Sequence, residues 1–490
     1  MFEGHRLFSM TSVYNAYRRC RRRKRGTLNA LRFERNLEEN LVSLHEELSS
    51  GRYRPGSSVA FLVEKPKKRE IFAADFRDRV VHHILVGYLE PYWEKRFIHD
   101  SYACRKGKGT HAGVERLQAF ARRTTANGTL RAWYLQLDVR GFFISLNRKI
   151  LFERLSARER DPAVLWLMRL LVFHEPVLDC RLRDARRADF EQLPAHKTLF
   201  KAAPECGLPI GNLTSQFFAN VYLDTLDQYV KHTLKARYYL RYCDDLVLLS
   251  PEKAVLEQWE RRITAFLRDL LNLELNERRR LRPVSAGIDF LGYIVRPDYL
   301  LVRRRVTGAL KQRLNTTEQE LIRSGMIQYP DGRRVFPWPY SRITGVAQWL
   351  NSYLGHINKA SCHGLIASLK NRFWWLKEYF FWEVNKVTVR FPVPRFTLRF
   401  SQQKKWFQER LPGHVLLIRK GVFREIDVEA CGTDLSDFHW PDRIHFRRKR
   451  QVKSALWKAD VPVAWIGETG RRLGRIAERA LVCRWTYNQG

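Results

Sequence analysis

Two adjacent carboxylates stand between apolar runs at Tyr242-Cys243-Asp244-Asp245. The flanking residues 239–242 and 246–249 have the composition of two β-strands around a tight acidic turn, a hairpin signature. Neighbouring carboxylates repel each other, so such a pair is stable when a divalent cation sits there or when water solvates the tip. On its own an Asp-Asp dipeptide is usually a solvated turn. A third acid, Asp138, follows the alternating run Leu135-Gln136-Leu137, which predicts a half-buried strand with the acid near its end. Carboxylates of this kind can hold two hard cations as a clamp for in-line phosphoryl transfer, one ion activating a hydroxyl and the other steadying the leaving pyrophosphate.

Other elements must place these acids. Apolar spacing predicts a helix over residues 28–50, stopped by Gly51. Residues 59–63 read as a short strand, followed by the basic turn Lys65-Pro66-Lys67-Lys68-Arg69-Glu70 leading into Ile71-Phe72. Residues 80–89 have the spacing of a buried helix, and Arg105-Lys106-Gly107-Lys108-Gly109-Thr110 forms a basic, glycine-rich loop before another helix. Pro209-Ile210-Gly211-Asn212 is a turn, residues 215–226 an apolar-faced helix, and residues 290–295 a further strand. From Arg303 a basic helical stretch begins. Residues 346–375 are helical and aromatic-rich, Pro392-Val393-Pro394 looks like a linker, and residues 396–490 read as a small α+β unit.

Composition limits the partners. The 490 residues hold 88 Lys+Arg against 51 Asp+Glu, a net charge of +37. So basic a surface attracts polyanions through counterion release; nucleic acid is the expected partner and an anionic membrane surface the second. No apolar run of about 18 residues marks a membrane span, and the basic N-terminus lacks the apolar stretch of a secretory signal. A hydrophobic content of 45% excludes a wholly disordered chain. The eight cysteines are scattered with no Cys-x-x-Cys pair, which argues against a zinc site or disulfide scaffold and for a reducing, cytoplasmic location.

In their order along the chain these segments resemble the motifs of bacterial retroelement reverse transcriptases, related to group II intron enzymes. Lys65-Pro66 with Arg69 resembles the first finger motif, and Ser101-Tyr102-Ala103-Cys104-Arg105 with Gly109-Thr110-His111 the second. Asp138-Val139-Arg140-Gly141-Phe142-Phe143 resembles the first catalytic motif and Tyr242-Cys243-Asp244-Asp245 the second. Gly207-Leu208-Pro209-Ile210-Gly211-Asn212-Leu213-Thr214-Ser215-Gln216 resembles the template-contacting motif, and Phe290-Leu291-Gly292-Tyr293 the primer grip.

The resemblance implies an α+β right-hand polymerase with fingers, a palm built on an antiparallel sheet and a helical thumb, plus a small C-terminal α+β domain. The corresponding divisions are a basic helical extension (1–50), fingers and palm (51–300), thumb (301–391) and an accessory nucleic-acid- or partner-binding domain (392–490). It implies RNA-directed DNA polymerase activity with two Mg2+ ions, for which Mn2+ can substitute. Asp138 and Asp244 would ligate the metals, with Asp245 in support and the Val139 carbonyl as a further ligand. Lys65, Arg69 and Arg105 would bind the triphosphate. Phe143 would exclude a ribose 2′-OH, although plain core packing explains that ring equally well. Ile210 and Gln216 would lie at the nascent pair, and Phe290, Leu291 and Gly292 would hold the primer, with Gly292 admitting its backbone.

The implied partners are a dedicated structured RNA template, a DNA or RNA primer and dNTPs, with an accessory protein or a second copy of the chain also considered and no membrane. Ile210 and Ser215-Gln216 depart from the Gln and Ser-Pro of many relatives. The pattern resembles diversity-generating retroelement enzymes, which copy RNA with errors at adenine; antiphage defence enzymes and a non-catalytic RNA-binding scaffold are the alternatives. Near the C-terminus, Gly421-Val422-Phe423-Arg424-Glu425 faintly resembles the DNA-wedging tip of mismatch-repair proteins.

Overall fold

The computed structural model describes residues 1–22, 27–64, 68–323, 327–328, 334–335, 340–373, 375–383, 386–389, 398–421, 423–429, 443–445, 461–473 and 476–486. The chain forms two compact units, one of Met1–Leu291 with Val295–Asp298 and one of Gly292–Ile294 with Tyr299–Gly490.

The first unit opens on α1 (Met10–Arg21), capped by the Ser9 hydroxyl, which accepts from Ser12 N at 3.3 Å. The single helix expected over 28–50 is two, α2 (Leu28–Arg35) and α3 (Leu37–Ser50). They break at Asn36, whose φ of −124° and ψ of 55° leave the helical region. Gly51 ends α3 with φ 76°, as a left-handed C-cap. These helices share one apolar core with the central sheet: Phe8, Val13, Leu44 and Leu48 cluster with Leu135, Leu137, Leu246 and Leu248.

In chain order follow β1 (Ser58–Val63), β2 (Arg69–Ala73), α4 (Phe76–Arg96), α5 (Thr110–Thr124), β3 (Trp133–Asp138), the single-turn α6 (Phe142–Ser145), α7 (Arg148–Ser156), α8 (Pro162–Val172), β4 (Cys180–Leu182) and α9 (Arg187–Glu191). After them come α10 (Leu213–Gln228), β5 (Tyr238–Tyr242), β6 (Asp245–Ser250), α11 (Lys253–Leu271) and β7 (Arg280–Pro283). A finger sheet has the order β2-β1-β4, with β1 and β2 antiparallel and β4 parallel to β1. The palm sheet is β5-β6-β3-β7, antiparallel throughout. Leu256, Ile263, Leu267 and Leu271 line one side of α11 and pack with the sheet leucines, about 1.5–3 kcal/mol each when fully buried. On its other face, α5 meets the sheet through Phe120, whose ring stands 5.4 Å from that of Tyr238.

Under the hairpin β5–β6 lies a fully buried ion pair. Arg241 Nε and Nη2 reach the Asp227 carboxylate at 2.6–3.0 Å, and both side chains are 0% exposed. Tyr239 donates its hydroxyl to the same carboxylate at 2.6 Å. Burial alone would lower the Arg241 guanidinium, yet Asp227 holds it above its ordinary value, so it stays charged.

The segment 290–295 is not one strand but two, β8 (Ile288–Phe290) and β9 (Tyr293–Val295), divided by Leu291 at φ 48° and Gly292 at φ 93°. Two successive positive φ values make a reversal of the type I′ kind. β10 (Leu300–Val302) follows.

In the second unit, α12 (Arg304–Arg323) buries Leu310, Leu314 and Leu321 and exposes Arg304, Arg305, Lys311 and Arg313. The hairpin β11 (Ile327–Gln328) and β12 (Arg334–Val335) leads to α13 (Tyr340–Ile357), α14 (His363–Arg372) and the short α15 (Trp375–Tyr379), then to β13 (Phe380–Trp382), β14 (Val387–Val389) and α16 (Phe400–Gln408). The remaining strands are β15 (Val415–Lys420), β16 (Phe423–Asp427), β17 (Arg443–His445), β18 (Val463–Leu473) and β19 (Ile476–Thr486). One seven-stranded sheet runs β11-β12-β19-β18-β15-β16-β17, so its first two strands come from upstream of the Pro392-Val393-Pro394 segment. That Pro-rich segment lies outside the described residues. Phe407 and Leu411 pack on Leu416, Ile418, Ala464 and Ile466 of this sheet. No helix among the described residues is long and apolar enough to cross a membrane.

Asp227→Ala leaves the Arg241 charge buried and alone. It should lower unfolding stability by about 3–5 kcal/mol in urea titrations, whereas cutting the exposed Lys106–Glu90 pair should cost about 1 kcal/mol or less.

Candidate active site

Strand register sets two of the acids opposite each other. β3 and β6 pair antiparallel with Asp138 directly opposite Asp245, and Tyr242 faces Asp245 across the β5–β6 hairpin. Residues opposite in such a ladder have Cα atoms about 4.5–5.5 Å apart and side chains on one face. Asp244 completes the group from the turn, where its carbonyl accepts from Val139 N at 3.4 Å. Cys243, the other turn residue, has φ 56°, a left-handed conformation uncommon for a non-glycine side chain. Arg241 holds it there by donating to the Cys243 carbonyl at 3.0 Å, while its other donors grip Asp227 and Asn220 of α10.

Burial pushes the Asp244 carboxyl above its usual range. Hydrogen bonds from its own N–H and the Cys243 thiol pull it partly back, as do the charges of Arg69 and Arg241. Burial also raises the Cys243 thiol well above its ordinary value, so this sulfur is neutral. Asn276 donates its amide to Asp138 Oδ2 at 3.3 Å and its backbone N–H to the Asp138 carbonyl at 2.7 Å. Among the described residues no three acid, His or Cys side chains already converge as a metal cage. The carboxylates carry like charge, and two of them turn to separate neutral donors, Asn276 and Cys243. The donor set itself, hard oxygens on facing strand ends with one carboxylate desolvated, suits Mg2+.

Around the acids, Phe143 sits half-buried on α6, edge-on to Phe142 at 5.3 Å, and its carbonyl accepts from Leu208 N at 2.7 Å. Ile210 is half-buried and its carbonyl accepts from Phe72 N at 2.8 Å. Gly211 has φ 127°, and a Cβ there would lie 2.7 Å from the Phe72 carbonyl, so no larger residue fits beneath β2. Gln216 is exposed on α10, and Arg69 is exposed on β2. Lys65 lies outside the described residues.

Two of the expected site residues have close protein partners. The Arg105 side chain is 5% exposed: it pairs with Glu94 at 2.9 Å, donates to the carbonyls of Ile98 and Ser101, and lies over the Phe97 ring. It braces the loop through these contacts. At Gly292 the close neighbour is His356 of α13, whose ring would lie 2.9 Å from a Cβ and which stacks on Tyr293 at 4.2 Å. Phe290 is fully buried, so its ring belongs to the core. Sequence reasoning missed Arg241 and Asn276. The first looked like one more strand residue, and nothing in the spacing around the second pointed to Asp138.

Acids on facing strand ends of an antiparallel palm, flanked by a finger hairpin, define a nucleotidyl-transferring polymerase of the right-hand class. A family model described as "Reverse transcriptase (RNA-dependent DNA polymerase)" matches residues 63–295. Residues 63–295 thus carry a reverse transcriptase domain, and the similarity supports RNA-directed DNA polymerase activity of the retroelement type related to group II introns. It is 24% identical to Protein YkfC of Escherichia coli (strain K12) over 332 residues, 61% of this chain and 80% of that protein. It is 25% identical to Nuclear intron maturase 2, mitochondrial, of Arabidopsis thaliana over 262 residues, 45% of this chain but 34% of that one. Among solved structures, the apo telomerase of Candida tropicalis truncated from its C-terminal domain aligns with TM-score 0.38 at 10% identity, covering 51% of this chain and 55% of that one.

Because Gly211 has no room for a side chain, Gly211→Val should cost about 1–3 kcal/mol of stability in thermal melts and lower primer extension more than its melting shift explains.

Proposed function

We propose that the chain copies a dedicated structured RNA into DNA with low fidelity, as diversity-generating retroelement enzymes do. The observation that carries the chemistry is the register that sets Asp138 against Asp245, with the Asp244 carbonyl bonded to Val139 N. Asp138, Asp244 and Asp245 would hold two Mg2+ ions, with the Val139 carbonyl as a further oxygen. When bound, these ions supply Lewis-acid activation of the primer hydroxyl and charge neutralisation at the pyrophosphate.

The other duties fall to the protein. The Phe143 ring bars a 2′-OH and selects deoxynucleotides. Arg69, exposed on β2 and within electrostatic reach of Asp244, neutralises the triphosphate. Arg241 keeps the acidic tip fixed from below. The basic outer face of α12, with Arg304, Arg305, Lys311 and Arg313, suits a phosphate backbone. Low fidelity is read from Ile210, an apolar side chain where many relatives carry Gln, which removes a hydrogen-bonding group beside the nascent pair.

Asp244→Asn should cut primer extension on an RNA template about a thousandfold while RNA affinity in filter binding changes less than about twofold. A parallel loss of RNA binding would count against the metal role. Sequencing the wild-type cDNA should show errors concentrated opposite template adenine, and Ile210→Gln should reduce them by about 10-fold, the scale of one hydrogen bond. Accurate copying by the wild type would favour the defence reading.

A further inference from the structure

The strap of residues 195–201, between α9 and the Gly207–Gln216 segment, matches none of the motifs, yet it touches three of the elements around the proposed nucleotide site. We propose that Glu70 is a positioning residue: its carboxylate latches the strap of residues 195–201 to β2 and thereby sets Arg69 against the acidic tip.

Glu70 and Arg69 are consecutive on β2, so they point to opposite faces. Arg69 is exposed and its charge reaches Asp244. Glu70 is 4% exposed and turned inward. Its Oε2 accepts from the Thr198 hydroxyl at 2.6 Å and its Oε1 from Leu199 N at 2.8 Å. Thr198 is itself 0% exposed. Burial raises the Glu70 carboxyl, and these two hydrogen bonds pull it partly back. A buried acid with no cation among its named partners is costly to keep, and this one is spent wholly on holding the strap.

The strap in turn touches the residues that follow Asp138. A Cβ on Gly141, which has φ 54°, would lie 2.8 Å from the His196 carbonyl and 3.0 Å from its Cβ. Gly141 is the residue before α6, which carries Phe143. Past Thr198, Leu199 packs with Ala60, Phe72 and Ile144. A Cβ on Gly207 would stand 2.4 Å from Leu199 Cδ1. Three contacts therefore converge on one short strap: β2 through Glu70, the Gly141 turn through His196, and the Gly207–Gly211 motif through Leu199. Both glycines have positive φ, and at Gly141 the backbone of the strap itself fills the space a Cβ would need. If the latch opens, β2 loses its inner anchor and Arg69 loses its fixed distance from the acids. The chemistry of the acids and the path of the template stay as they were.

This inference rests on Arg69 as the triphosphate ligand, and the test separates the two. Steady-state primer extension on RNA is measured for wild type, Arg69→Ala, Glu70→Ala, Glu70→Gln, Thr198→Val and the double variant Arg69→Ala/Glu70→Ala. Glu70→Ala should raise the KM for dNTP by about tenfold with kcat changed less than about threefold. Glu70→Gln, which can still accept from Leu199 N and donate to the Thr198 hydroxyl, should restore most of the loss. Thr198→Val should fall between them. In the Arg69→Ala background, removing Glu70 should add nothing further to KM.

If Glu70→Ala fails to fold, Thr198→Val and Glu70→Gln carry the decision. A normal dNTP KM in both Glu70→Ala and Thr198→Val, or effects that add fully to Arg69→Ala, would overturn the latch while leaving Arg69 in place. A normal KM in Arg69→Ala would overturn both. Equal losses of kcat and RNA affinity would show a general structural role and also overturn the latch.

Discussion

The position of the acidic tip depends on one buried charge pair. A hairpin end with two carboxylates repels itself, and of its two turn residues Cys243 packs against the core. Arg241 supplies the missing constraint, because its guanidinium spans from the Cys243 carbonyl in the turn to Asp227 and Asn220 on α10. A fully buried ion pair is a poor way to gain stability, since desolvation offsets most of its attraction. Its value is directional. Arginine's fork allows few geometries, and satisfying all of them leaves the turn a single place to be. Lysine has neither the planarity nor enough donors to read the turn and the helix together. The left-handed backbone of Cys243 is thus held by the residue two positions earlier, and the local strain is offset from beneath the sheet.

From that fixed tip the remaining placement is a consequence of pairing. Once Tyr242 faces Asp245, the ladder between β6 and β3 sets Asp138 opposite Asp245 without further choice, because a slip by one residue would turn Leu135 and Leu137 out of the core. Those leucines, with Leu246 and Leu248, are the apolar weight that enforces the register. The same hydrophobic burial that stabilises the palm therefore decides where the acids stand. The core extends as far as α1 and α3, so the N-terminal helices help to hold the site's foundation.

What could be read from the sequence follows the same physics. The strand carrying Asp138 and the Asp244-Asp245 hairpin were legible because both depend on local alternation and a two-residue turn. The burial of Arg105 was not legible because its partner Glu94 lies on the preceding helix, and a basic residue in a glycine-rich loop looks solvated until the fold brings that acid beneath it. The break between β8 and β9 was invisible because Leu291 adopts a positive φ that no composition rule assigns to leucine. The break at Asn36 was hidden by apolar spacing that continues across it. The strap escaped notice for a related reason, since residues 195–201 carry no periodicity and Glu70 reads as one more charge in a basic turn.

Glu70 and Arg241 answer the same problem from two sides. Each is a charged side chain removed from water, and each spends its hydrogen bonds on backbone and on buried polar neighbours. Arg241 fixes the acidic turn, and Glu70 ties β2, the strand that carries Arg69, to Thr198 and Leu199. Polymerisation requires an anionic cluster and a cationic arm close together without collapsing into a salt bridge, which would cancel the charges both need for substrate. Mutual attraction favours that collapse at short range. It is resisted only if each partner is anchored from behind more firmly than it is drawn forward. Two buried charges facing away from the cleft meet this requirement, and apolar residues could not, because dispersion fixes volume but not direction.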